Sequence, residues 1–127
     1  MNPYDARMAT TADKTEIDPL DFIGIDRLLS DEERAIRDTV RRFVADKVTP
    51  YVGDWFEKGE LPLDLIPEIA ELGLFGMHLD GYGLPGASAV MYGLVCQELE
   101  AGDAGIRSLV SVQGSLSMFA IWKWGSE

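Results

Sequence analysis

The chain has 127 residues, of which 46% are apolar and 26% charged, with 22 acidic side chains against 11 basic ones and a formal net charge of −11. That length suits one domain with a core large enough to fold without disulfides or metal, and makes two independent domains a poor reading. The charge repels a phosphate backbone over most of the surface, which argues against nucleic acid as a partner, and the apolar fraction is that of a globular protein rather than an acidic tail.

Cys96 is the single cysteine. It has no internal disulfide partner, which fits a reducing compartment. The first residues, Met1 to Phe22, show neither an apolar stretch nor a basic flank of the kind that directs export, so the expected location is cytoplasmic. The uncharged run Ser108 to Trp122 is too short to span a bilayer and carries serines and a glutamine, so no membrane insertion is expected.

Residues 1–20 are polar and aperiodic and read as a mobile arm; residues 21–127 form the expected folded part, opening on Asp21-Phe22-Ile23. Ser30-Asp31-Glu32-Glu33 is a capping box, with acids suited to the positive end of a helix. Ile36, Val40, Phe43, Val44 and Val48 then recur at helical spacing, with Arg34, Arg37, Asp38, Arg41 and Arg42 on the wet face, and Pro50 stops or bends the helix. Asp54-Trp55-Phe56 adds a further turn. Pro62 leads into a second main helix whose buried stripe is Leu65, Ile66, Ile69 and Leu72, with Gly73 as a left-handed C-cap.

Ser88 caps a third helix from about Ala89 to Leu99. Gly93 within it costs about 1 kcal/mol against alanine, for which close helix packing is the expected compensation. Asp103 is the expected N-cap of a fourth helix running to about Trp124, with Gly125 ending it. No segment alternates long enough to be a strand. The fold class is therefore all-α, a bundle of about four main helices.

The loop Gly81 to Gly86 matches G-x-G-x-x-G. A dinucleotide fingerprint needs a preceding strand and a helix starting among the glycines, and Met77-His78-Leu79-Asp80 is a poor strand, so a structural loop is the better reading. His78, the only histidine, has no companions at metal-ligand spacing and reads as a partly exposed residue without special role. Cys96 reads as a buried, inert thiol.

Arg107 is the only lysine or arginine between Lys58 and Lys123, and it stands early in an otherwise uncharged helix. The positive end of a helix disfavours arginine, so its position asks for another reason. Ser111 shares its face, with Ser108 alongside, and a guanidinium fork beside hydroxyls suits a carboxylate. Glu100 across the helix break is placed to hold the guanidinium when no ligand does. Two readings stand on these residues: an anion site at Arg107, Ser108 and Ser111, or an ion pair with Glu100 or Asp103 that merely closes the corner. Ser115 and Gly114 continue a stripe of small residues, most simply explained by close packing.

Leu28 to Glu33, Ile36 to Arg41, Glu71 to Gly76, Gly81-Tyr82-Gly83, Tyr92-Gly93-Leu94 and the run Glu98 to Gln113 together resemble the N-terminal helical domain of the acyl-CoA dehydrogenase family, the last run most like its glutaryl-CoA branch. The resemblance covers residue 18 to the end. It implies a FAD-dependent enzyme that removes hydrogens from the α and β carbons of an acyl-CoA and, in that branch, decarboxylates the product to crotonyl-CoA. It also implies electron-transfer flavoprotein as acceptor and a homotetramer.

By the same resemblance Arg107 pairs with the far carboxylate of the acyl group, with Ser108, Ser111 and Glu100 around it. The family's middle β domain and second helical bundle, which supply the FAD contacts and the catalytic glutamate, lie outside this sequence. The expectation is thus a domain truncated at its C-terminal end, with no catalytic, cofactor or metal residue of its own. The competing readings are a standalone helical interaction module, an inactive fragment, and a relative with another range of dicarboxylic substrates.

Overall fold

A computed structural model describes residues 22–126, which fall into two units, 22–30 and 31–126. The expected mobile arm and Asp21 lie outside the described residues. The first unit holds one 3-10 turn, Ile25–Leu28, entered through Gly24 in the left-handed region.

The second unit is all-α apart from one small hairpin. Helix α1 (Asp31–Lys47) starts directly after Ser30, with three acids in its first turn. Val40, Val44 and Val48 are buried as the periodicity requires. Helix α2 (Val52–Lys58) ends at Gly59, whose φ of +67° needs no side chain. The second main helix is shorter than its apolar pattern suggests: a 3-10 turn, Leu63–Leu65, precedes α3 (Ile66–Glu71), and Pro67 rather than Pro62 occupies its first turn. Gly73 is left-handed at φ +70°, as expected of a C-cap.

The glycine loop departs from the sequence reading. Strands β1 (Asp80–Gly81) and β2 (Leu84–Pro85) pair antiparallel, with Gly81 opposite Leu84. The two central residues, Tyr82 and Gly83, both have positive φ, +52° and +81°, as a type I′ turn demands. Hydrogen bonds from Gly86 N to Leu79 O and from Ala87 N to Met77 O extend the pairing. The glycines therefore serve a hairpin too short to show periodicity in the sequence.

Helix α4 (Ala89–Gly102) is capped by the Ser88 hydroxyl, which accepts from Met91 N, and α5 (Ala104–Val112) by the Asp103 carboxylate, which accepts from Ile106 N at 2.7 Å. The fourth helix runs to Trp124 as expected, but it is not α-helical throughout. Residues Gln113–Met118 form a π-helical segment before α6 (Phe119–Trp124). A Cβ on Gly114 would stand 3.0 Å from Gly76 N and 3.3 Å from Gly76 Cα, so the helix meets the backbone of the Gly76 loop where side chains are absent.

The core gathers α1, α3, α4 and α5 around Val40, Ile69, Leu74, Val95, Leu99 and Ile106. Close packing occurs at Gly102, not Gly93: a Cβ on Gly102 would lie 2.5 Å from Val44 Cγ1, whereas one on Gly93 meets nothing within 4 Å. Arg41 also leaves the role its helical face suggested. Its guanidinium donates from Nε and Nη2 to both oxygens of Glu98, at 2.9 and 2.8 Å, and so carries a buried carboxylate on α4 across to α1.

Candidate functional site

Helices α4 and α5 meet at the Asp103 corner and run back along one another, so residues equally far from the corner face each other. Tyr92, Cys96 and Glu100 follow at intervals of four on α4, which puts them on one face. Arg107, Ser111 and Ser115 follow at the same interval beyond the corner. The two rows pair in opposite order. Arg107 Nε donates to Glu100 Oε2, and the Tyr92 hydroxyl and Ser115 Oγ lie 3.1 Å apart in a hydrogen bond. Between these two rungs, Cys96 and Ser111 line the same shallow cavity, wide open to solvent and of about 490 Å³, together with Gln97.

Three of the four residues singled out in the sequence come together there. Arg107 donates from Nε to Glu100 and from Nη1 to Ser111 Oγ at 3.3 Å, while Ser111 donates to the Ser108 carbonyl. Ser108 thus contributes through its backbone oxygen, its hydroxyl making no contact with Arg107. Nη2 of Arg107 has no partner among the described residues. A guanidinium offers five N–H groups; Glu100 takes Nε and Ser111 one N–H of Nη1, so the N–H groups left over on Nη1 and Nη2 are donors of the kind a carboxylate accepts as a fork.

Both the hydrogen bond and the charge of Glu100 raise the Arg107 pKa above its usual value, so this cation is permanent. With Arg107 35% and Glu100 49% exposed, the pair is open to solvent and contributes little to folding.

Cys96 is half-buried and lines the cavity, rather than being a fully buried core thiol. Burial raises its pKa, and the hydrogen bond with Tyr92 and the charge of Arg107 only partly oppose this. The thiol is therefore protonated at neutral pH, in agreement with the inert reading. Burial likewise pushes the Tyr92 phenol up. His78 is less isolated than the sequence implied. Its ring packs on Tyr92 with centroids 4.9 Å apart, and its buried Nδ1 has no hydrogen-bond partner among the described residues. Sequence reasoning missed the role of Tyr92; the interval of four through Cys96 to Glu100 was the available signal.

A second cavity, of about 620 Å³, lies between the hairpin and α6, lined by Leu79, Tyr82, Leu84, Met118, Ile121 and Trp122. Trp122 Nε1 donates to the Asp80 carbonyl at 2.7 Å and ties the two walls together. It holds no charged side chain among these residues.

These features define the class of protein, an all-α domain with an arginine set in a seam between two helices, and comparison with known proteins identifies the family. Residues 30–127 match the family model for the acyl-CoA dehydrogenase N-terminal domain, and the chain belongs to that family.

Among solved structures, glutaryl-CoA dehydrogenase from Mycobacterium smegmatis is 62% identical at a TM-score of 0.80, covering 84% of this chain and 28% of that one. A structure of a glutaryl-CoA dehydrogenase from the same organism in complex with FADH2 is 55% identical at a TM-score of 0.84, over 88% and 29%. The short/branched chain specific acyl-CoA dehydrogenase of Bos taurus mitochondria is 29% identical over 97% of this chain and 27% of its own length. The chain therefore spans under a third of these relatives. Among the described residues no helix is long and apolar enough to cross a membrane.

Proposed function

We propose that this domain forms the substrate-tail wall of a FAD-dependent acyl-CoA dehydrogenase and reads the far carboxylate of a dicarboxylic acyl group, glutaryl being the best-supported one. The observation that carries this is the Arg107 guanidinium, steadied by Glu100 and Ser111 on a cavity wall, with Nη2 unpaired among the described residues. Similarity to two glutaryl-CoA dehydrogenase structures supports the same substrate. On this reading the reaction is oxidative decarboxylation of glutaryl-CoA to crotonyl-CoA, with electron-transfer flavoprotein as acceptor and a homotetramer as the working assembly. The lone cysteine supports a cytoplasmic location, whereas the bovine relative is mitochondrial.

The flavin has no evident cradle in this domain. The glycine loop closes a hairpin, and α4 begins only at Ala89, so no helix N-terminus meets the glycines as a bound phosphate would require. FAD and the proton-abstracting group are assigned to the parts of the relatives beyond the matched segment. Assay of the flavin-loaded enzyme containing this domain tests the reading: glutaryl-CoA should be turned over in clear preference to butyryl-CoA. Equal use of both, or a preference for butyryl-CoA, overturns it.

A second reading is a helical interaction module. It is favoured by the exposed Leu116, Ile121 and Trp124 on the π segment and α6.

A further inference from the structure

We propose that Tyr92 is a specificity-determining residue: fixed between Ser115 and His78, it limits the length of the carboxyl-ended acyl group that the Arg107 cavity accepts. This rests on the reading of Arg107 as the carboxylate anchor. Among the residues lining the cavity Tyr92 is the largest ring-bearing side chain, and it stands two helical turns from Glu100 on the same face of α4. Two turns are about 11 Å along the axis. Arg107 covers part of that distance, since its Nη1 reaches Ser111 one turn along α5. Roughly one turn, about 5 Å, then separates the anchoring end of the guanidinium from the Tyr92–Ser115 rung. That is the reach of a short acyl chain.

A wall sets a length only if it does not swing away. Tyrosine has two side-chain torsions, and here both the tip and the face of the ring are engaged. The hydroxyl is hydrogen-bonded to Ser115 at 3.1 Å, and the ring packs on His78. Gly114 of the π segment lies beside His78: a Cβ there would stand at ordinary contact distance, 3.4 Å, from His78 Cε1. The π segment, a form of helix that recurs at functional sites, thus carries both Ser115 and a glycine beside His78. Beside Tyr92 the backbone at Gly93 also lines the cavity and has open space where a Cβ would be. Removing the ring therefore enlarges the cavity instead of letting a neighbour fill the gap.

The test compares succinyl-, glutaryl-, adipyl- and pimelyl-CoA with the flavin-loaded enzyme containing this domain, through kcat/KM and through Kd measured at equilibrium. Tyr92→Ala and the milder Tyr92→Leu should both move the optimum to a longer acyl group, changing the adipyl-to-glutaryl ratio about tenfold or more, the scale on which one or two methylenes are discriminated. Tyr92→Phe keeps the ring on His78 and should leave the optimum in place. Should Tyr92→Ala fail to fold, Tyr92→Leu and Tyr92→Phe still decide the matter. An unchanged profile in Tyr92→Leu, or a uniform loss at every length, overturns the proposal. Arg107→Ala is run alongside: if it weakens dicarboxylic and monocarboxylic acyl-CoAs equally, the anchor reading fails, whereas selective loss with no effect of Tyr92 on length removes the proposal about Tyr92 alone.

Discussion

At the scale of single residues, the seam between α4 and α5 sets protonation by a balance of opposing effects. The thiolate of Cys96 is disfavoured by burial and favoured by the Tyr92 hydrogen bond and the Arg107 charge, with burial the largest influence. Arg107→Ala removes one of the two favouring groups and leaves the Glu100 carboxylate, which opposes the thiolate. The pH midpoint for alkylation of Cys96 should therefore move upward in Arg107→Ala, and also in Tyr92→Phe; a downward move in either contradicts this arrangement. The sign for folding follows. A thiol whose pKa is raised in the folded state contributes stability below the ordinary thiol range and loses it as pH climbs through the raised value. Arg107 itself was legible in the sequence because a lone cation in an uncharged helix is conspicuous. Its partner Glu100 was legible from the helix break between them. Tyr92 was not, because an aromatic at helical spacing looks the same whether it fills a core or lines a cavity.

At the scale of elements, caps and breaks were readable and close approaches were not. Ser88, Asp103 and Gly73 act locally, through hydrogen bonds or backbone torsions within a few residues, so their positions in the sequence suffice. The π segment packs at Gly114 against Gly76, distant in sequence, and nothing within residues 113–118 announces that approach.

The glycines give the clearest test. Gly93→Ala should stabilise the chain by about 0.5–1 kcal/mol, because α4 gains helix propensity and the new methyl meets nothing. Gly114→Ala should destabilise it by about 1–3 kcal/mol, because the methyl meets the backbone of Gly76, which has no flexible side chain to move. Thermal unfolding of the two variants checks both signs. The Arg41–Glu98 pair belongs to the same scale. Glu98 is 7% exposed and Arg41 43%, so Arg41→Ala leaves a buried carboxylate without its fork. Because Arg41 is half in water, the cost should be about 1–2 kcal/mol, below that of a fully buried pair. Chemical denaturation measures it, and Arg41→Ala together with Glu98→Gln should recover part of the loss.

At the scale of the molecule, the net charge of −11 describes this domain and not the surroundings of an acyl-CoA. Apolar side chains cluster on its last helical stretch, where Leu116 is 65%, Ile121 72% and Trp124 74% exposed. In water such a face should associate. Light scattering on the chain alone should show polydisperse association that Ile121→Lys with Trp124→Lys relieves. A single discrete oligomer would instead favour the interaction-module reading.

The family was recoverable from residues spread along the chain, since their order and spacing carry it and no single motif does. The function reduces to whether Arg107 reads a carboxylate or only closes the corner with Glu100. The most direct measurement is the ratio of kcat/KM for glutaryl-CoA to that for butyryl-CoA in the flavin-loaded enzyme with and without Arg107→Ala. A fall in that ratio of about tenfold or more, with butyryl-CoA turnover little changed, is the expected result. Equal loss on both substrates would make Arg107 a structural residue and contradict the anchor reading.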